Sequence, residues 1–349
     1  MEQIIKKTKI RESNFELLRV IAMLMVLVLH ADFEALGVPT YADIISSPIA
    51  SALKVFFEMG SIVAVNVFVL ISGWFGIRPS VKGFSKFVFQ WLFFAIGIYL
   101  VLALWGKIDF SLRGIANSIA FMHSGSYWFI LSYICLYFFS PVLNAFIQNA
   151  DKRTCIYFIV TFYIFQTLYS FLGGGANFLM KGYSALSFMG LYVLAAFVRK
   201  HIDFSKYNCW KLFVGYILLT IAMMVTWMFA QLLNVSPIAS RVLCYSNPLV
   251  VLSSLMLLMT FSKIKCRSSI INYIAAGSFA VYLLHCHPNV YPLYLDSVRE
   301  AANISTLFIP GVVLLWFIAS LLLDFIRVTL WEGVTILSKK HFGCCQRSS

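Results

Sequence analysis

In the stretch "NFELLRVIAMLMVLVLHAD", residues 14 to 32, three side chains can do chemistry that their apolar neighbours cannot: Glu16, Arg19 and His30. An imidazole titrates near neutral pH and can remove a proton from a hydroxyl as that oxygen attacks an electrophile. It can also act as the nucleophile itself and carry a covalent intermediate. Arg19 and His30 are eleven positions apart, about three helical turns plus ~20°, so they share one face at roughly 16 Å along the axis. Glu16 precedes Arg19 by one turn and can pair with it. A charge at the centre of a lipid-spanning helix costs about 2.5–3.5 kcal/mol on the mildest scale, so this face should look into a bundle or a wet cavity. The same pattern also fits a helix whose ends reach the two headgroup layers, with Arg19 snorkelling. Asp32, two positions beyond His30, points away from it on a continuous helix and is not assigned as its partner.

The elements that must hold these residues are membrane helices. Of 349 residues, 61% are hydrophobic and 12% charged, with a mean hydropathy of +0.86, far from the balance of a soluble domain. Ten apolar segments approach spanning length, near 15 to 32, 59 to 76, 84 to 105, 126 to 147, 154 to 172, 183 to 198, 212 to 233, 247 to 262, 270 to 286 and 307 to 326. The ninth is the least apolar, because Ser278, Tyr282 and His285 interrupt it. With the N-terminus inside, twenty of the 27 basic residues fall on the inner side and six on the outer, while Arg19 lies within the first span. That asymmetry is the one expected of cytoplasmic loops. The expectation is an all-α polytopic protein of about ten transmembrane helices with both termini cytoplasmic. It forms one domain over 1–349: an N-terminal segment 1–14, a bundle 15–326 and a tail 327–349. The formal charge of +13 follows from this topology and attraction to anionic lipid, with no nucleic-acid partner implied.

The remaining polar signals are sparser. Arg78, Lys82 and Lys86 follow the second span and, if 78 to 86 is helical, fall on one stripe at spacing four. They serve equally as topological determinants. Tyr127 and Trp128 open the fourth span at the outer surface, where an aromatic belt is also expected. Asn66, Ser72 and Gly73 in the second span suit close helix packing. Asp324 and Arg327 read as an ion pair one turn apart. The eight cysteines have no metal-ligand spacing, and only the outward Cys244 and Cys286 could form a disulfide. The run "HCH" at 285 to 287 offers too few ligands for a metal site by sequence, so no metal is expected. A cleaved leader is not expected either, because no small-residue site follows Val20 to Leu29 and nine further spans do.

The Arg19 and His30 spacing within "FELLRVIAMLMVLVLH" resembles the first-helix signature of the membrane-bound acyltransferase family 3. "VNVFVLISGWF" at 65 to 75 resembles its second-helix motif around a Ser-Gly pair, here Ser72 and Gly73. "YWFILSYICLYFFSPVLN" at 127 to 144 resembles its fourth-helix pattern, and "SFAVYLLH" at 278 to 285 resembles a late helix ending in His. The resemblance spans most of the chain. It departs at Glu16, where many relatives carry Asp, and after the second helix, where lysines stand in place of an arginine-rich run and cannot offer a bidentate fork.

This resemblance implies a bacterial inner-membrane enzyme, multi-pass, that moves an acyl group, here expected to be acetyl, from acyl-CoA to a hydroxyl of a cell-surface or exopolysaccharide precursor. Acyl-CoA is then a co-substrate, no cofactor is permanently bound, and the partners are the carbohydrate or lipid-linked glycan acceptor and the bilayer. No soluble domain follows the last span, so transfer is expected to be completed by the membrane domain or by a partner protein. The expected catalytic residues are His30, Arg19 and Glu16. Arg19, Arg78, Lys82 and Lys86 are expected to grip the coenzyme, and His285, Tyr127 and Trp128 to meet the acceptor. The rival reading is a transporter or flippase of a lipid-linked glycan, with Arg19 and His30 as substrate contacts.

Overall fold

The computed structural model describes residues 12–120, 127–172 and 179–345; Lys6, Lys7, Lys9, Arg11 and Arg347 of the basic pattern lie outside the described residues. The described elements are helical. In order, α1 (Ser13–Leu29) runs straight into a π-helical turn, His30–Ala35. A short α2 (Tyr41–Ser46) leads to α3 (Pro48–Ser61) and α4 (Ala64–Phe75). Then come α5 (Val81–Leu104), α6 (Leu112–Ala120), α7 (Trp128–Asn149), α8 (Lys152–Gln166) and α9 (Ala185–His201). The chain continues through α10 (Cys209–Leu232), α11 (Ser236–Val242), α12 (Pro248–Lys263), α13 (Ser269–His285), α14 (Tyr291–Ile304) and α15 (Ile309–Cys345).

The helix starts are written locally. Ser80, Asp151, Ser184, Asn208, Asn247 and Ser268 each accept a hydrogen bond from a backbone N–H of the first turn they precede. Pro48 and Pro248 open α3 and α12, where the missing N–H costs nothing. Thr40 and Asp43 form a reciprocal cap on α2. Gly76 ends α4 with φ 74°, a conformation that favours glycine.

Among the described residues, six segments are long and apolar enough to cross a membrane: Ser13–Ala35, Pro48–Phe75, Val81–Leu104, Trp128–Asn149, Cys209–Leu232 and Thr306–Gly333. The other four expected spans coincide with α8, α9, α12 and α13, which are helices of 15 to 17 residues. The second span begins well before residue 59: α3 and α4 form a single apolar run of 28 residues. That run takes in Lys54, which the charge pattern assigns to an outer loop. Its ammonium instead turns back on the Leu36 carbonyl at 3.1 Å, with Asp32 at 4.0 Å.

The runs differ sharply in what surrounds them: in an apolar 18-residue stretch of each, 78% is buried within Pro48–Phe75, against 17% within Thr306–Gly333. The exposed face of α15, with Leu315, Leu322, Phe325 and Ile326, has the apolar character of a lipid-facing surface. At the centre, α1 packs along α13 and against α3, α4 and α12, while α4 packs on α9. The α4–α9 approach is close enough that a Cβ at Gly73 would strike the Tyr192 backbone, which is the packing role expected of the Ser72–Gly73 pair. Two hydrogen bonds pin α1 at opposite ends. Asn14 donates to the Phe261 carbonyl at 2.8 Å, and the Tyr294 hydroxyl of α14 donates to the Leu27 carbonyl at 2.6 Å.

Candidate active site

Because α1 lies along α13, the residue that follows α1 and the last residue of α13 reach the same point. His30 Nδ1 is 3.0 Å from His285 Nε2. On its other side, His285 Nδ1 is 2.5 Å from the Val281 carbonyl one turn back. A carbonyl can only accept, so His285 Nδ1 carries the hydrogen. With both rings neutral, His285 Nε2 is then an acceptor and His30 Nδ1 the donor, which leaves Nε2 as the basic atom of His30. Tyr291 stands edge-on to His30 at 5.4 Å and Tyr294 edge-on to His285 at 5.5 Å, framing the pair with rings from α14. Asp32 takes no part: it is turned toward Lys54, as its spacing from His30 suggests.

His30 borders a cavity of about 330 Å³ that reaches back along α1 to Arg19, at the small end of the range for ligand sites. Arg19 and His30 therefore do share a face that looks into the bundle. Arg19 holds Glu16 at 2.6 Å, with the carboxylate largely buried and the guanidinium one-third exposed. The wall between the two ends is mostly apolar and aromatic, with Gln90, Ser72, Ser278 and Tyr245 as polar points. Ser72 lies 3.2 Å from the Tyr133 hydroxyl. Gln90 donates to Asp324 at 3.0 Å, and Asp324 also takes the Arg327 guanidinium on both oxygens at 2.6 and 2.9 Å. The expected Asp324–Arg327 pair is thus a buried one that orients a cavity side chain.

A second cavity of about 250 Å³ shares Phe87 and Tyr133 with the first and opens beside Arg78, Ser80 and Gly83. It lies at the start of α5, where backbone N–H groups and the helix dipole favour an anion. The basic cluster is split here. Arg78 precedes the Ser80 cap and is not helical, so the single stripe of Arg78, Lys82 and Lys86 does not form. Arg78 lines the cavity, whereas Lys82 and Lys86 are exposed on the first two turns of α5 and line neither cavity.

The acceptor candidates also separate. Trp128 lines the first cavity, stacked on Tyr245 at 5.8 Å. Tyr127 does not: it is 1% exposed and its hydroxyl donates to the Leu283 carbonyl at 2.7 Å. Its role is to fix α7 against α13, so of the two aromatic residues expected to meet the acceptor only Trp128 reaches the cavity. His285 is fully buried behind His30 and outside the cavity lining, so it can reach a substrate only through His30. Cys286 lies 3.3 Å from His285 Nε2 and, like Cys244, is a free thiol. His287 turns away to the Ala95 carbonyl at 3.3 Å. The contacts from Gln90, Tyr133 and Tyr245 were missed in the sequence, because single polar residues on apolar helices carry no periodic signal. Asn66, which donates to the Tyr245 carbonyl at 3.0 Å, was the nearest hint.

A family model described as an acyltransferase domain matches residues 12–325, from the first described residue to just past Asp324. The chain belongs to acyltransferase family 3. No curated protein and no solved structure matches it. Membership in acyltransferase family 3 makes it a membrane acyltransferase, and the match takes in every residue of the His30 pair, both cavities and the Arg19–Glu16 pair.

Proposed function

We propose that this protein is an acyl-CoA-dependent O-acyltransferase of the bacterial cytoplasmic membrane, moving an acetyl group to a hydroxyl of a cell-surface or exopolysaccharide precursor. The observation that carries the reading is a basic imidazole nitrogen on a cavity that shares Phe87 and Tyr133 with a second cavity bordered by Arg78 and the start of α5. Arg78 and the α5 N-terminus suit the coenzyme phosphates, and Arg19 a further anionic or carbonyl group within. The thin pantetheine arm would run between the two cavities past their shared Phe87 and Tyr133. The excess of basic residues on the Arg19 side supports putting that side in the cytoplasm, with ten spans and both termini inside.

In the transfer itself, His30 Nε2 takes the proton of the acceptor hydroxyl as its oxygen attacks the thioester carbonyl. The carbon–sulfur bond then breaks, and the proton passes to the departing coenzyme thiolate, giving an ester and free CoA. His285 steadies the imidazolium as it forms, because its Nε2 already accepts the His30 Nδ1–H. Trp128 offers a face on which a sugar ring can stack. No metal and no resident cofactor enters these steps. The test is acetyl-CoA turnover by the purified chain in vesicles, with mass spectrometry of the producer's surface glycans with and without it. Acetyl-CoA consumption and loss of O-acetyl groups on deletion are expected. Glycan translocation with no thioester consumed would favour the transporter instead.

A further inference from the structure

Behind the imidazole pair, a third ligand-type group completes a triangle. Cys286 Sγ lies 3.3 Å from His285 Nε2 and 3.9 Å from His30 Nδ1, and the two nitrogens are 3.0 Å apart. All three atoms fall within 4.8 Å of one another. Zinc binds imidazole nitrogen at about 2.0–2.1 Å and thiolate at about 2.3 Å, which makes tetrahedral edges of about 3.3 Å between nitrogens and about 3.6 Å from nitrogen to sulfur. The two observed nitrogen–sulfur edges bracket the second value, and the nitrogen–nitrogen edge of 3.0 Å is slightly shorter than the first. His285 is also held as metal-bound histidines are held, its outer N–H tied to a backbone carbonyl. His30 borders the cavity, with His285 and Cys286 buried behind its ring.

We propose that His30, His285 and Cys286 form a binding site for Zn²⁺, and that zinc held there switches acyl transfer off. On ligation the Cys286 thiol releases its proton to solvent and bonds as thiolate, and His285 Nε2 gives the metal the lone pair that had accepted from His30. His30 Nδ1 must also supply a lone pair, so its hydrogen moves to Nε2. The basic nitrogen at the cavity is then lost. Metal binding and the base-competent tautomer of His30 exclude each other. Three ligands drawn from one helix end, another helix end and the turn after it explain why the "HCH" run alone gave no metal signal.

The inhibitory half of this proposal rests on the acyltransfer reading; the binding half does not, and the two are tested separately. Purified full-length protein is titrated with Co²⁺ in place of Zn²⁺. One equivalent should give a thiolate-to-cobalt charge-transfer band in the near ultraviolet, bleached by Zn²⁺. Cys286→Ser should abolish the band, His285→Gln, which removes a direct ligand, should weaken binding by more than the roughly 10- to 100-fold that loss of an outer partner costs, and a Cys344→Ser, Cys345→Ser double variant should leave the band intact. Thermal unfolding of Cys286→Ser without metal checks that it is folded, and a Zn²⁺-induced rise in Tm should occur in the wild type and not in this variant. Absence of the band in the wild type, or its persistence in Cys286→Ser, overturns the site. In the activity arm, Cys286, which the transfer does not use, is replaced by Ser; the variant should acylate normally yet resist Zn²⁺ at least about tenfold better than wild type. Equal zinc sensitivity of the two proteins, or activation by Zn²⁺, overturns the inhibitory role while leaving the acyltransfer reading to its own test.

Discussion

The two ends of the main cavity are built in opposite ways. At the His30 end, a fully buried His285 and a backbone carbonyl fix the tautomer and aim of the working ring through contacts between helices distant in sequence. At the Arg19 end, the ion pair is local to one turn of α1, the guanidinium is one-third exposed, and Arg78 stands alone at the edge of a neighbouring cavity. One end has the preorganisation that a proton transfer needs. The other has the loosely held charges that suffice to collect an anion. The buried network at the first end should make it intolerant of change, and solvent at the second should make it forgiving.

The most severe test of this contrast is His30→Ala. Loss of a general base should lower kcat about 10²- to 10⁴-fold with the KM for acetyl-CoA little changed. A folded variant that acylates at the wild-type rate would remove His30 from the chemistry. Next comes His285→Gln, which tests whether the second ring acts through the first. A hydrogen bond to a charged group contributes about 1.5–3 kcal/mol, so kcat should fall roughly 10- to 100-fold, again with KM held. A rise in acceptor KM alone would return His285 to substrate binding.

At the other end the defects should differ in kind. Arg78→Gln and Arg19→Ala should each raise the KM for acetyl-CoA by several-fold, in the range of a partly solvated charge worth about 1 kcal/mol, and the Arg78 effect should shrink at high salt. Lys82→Gln with Lys86→Gln should do much less, because neither side chain lines a cavity. An equal effect from the lysine pair would mean that net charge, not position, draws in the donor.

The smallest expected effect comes from a control that touches neither end. The Thr40 hydroxyl and then its backbone amide hold the Asp43 carboxyl below the usual carboxylate range. A carboxyl with a lowered folded pKa contributes its stability above the unfolded value of about 3.9 and loses it as pH falls through the folded value. Asp43→Asn should therefore slightly lower Tm at neutral pH and flatten its decline in acid, with kcat and KM unchanged. A kinetic defect in this variant would show that the cavity ends are not insulated from the rest of the bundle.

How much was legible beforehand follows the same division. The residues that sequence reasoning placed best are those bound by helical periodicity: Glu16 beside Arg19, Asp324 beside Arg327, and Arg19 on the face of His30, each a matter of 100° per residue. The least legible were contacts that depend on where a helix begins or how it leans on another. Arg78 left the lysine stripe because Ser80 caps α5 two residues later. Tyr127 and Trp128 are adjacent in sequence, yet α13 covers one and the cavity receives the other.

The sequence by itself determined a helical membrane protein of this family, a polar face on its first helix, and an imidazole eleven residues from an arginine, because hydropathy and helical period are local quantities. Only the tertiary structure decided that His30 and His285, 255 positions apart, meet at 3.0 Å with Cys286 beside them. That meeting depends on α14 pinning α1 at Leu27 and on α1 lying along the whole of α13. Helix-to-helix register of this kind is fixed by packing between surfaces distant in the chain, and no local pattern encodes it.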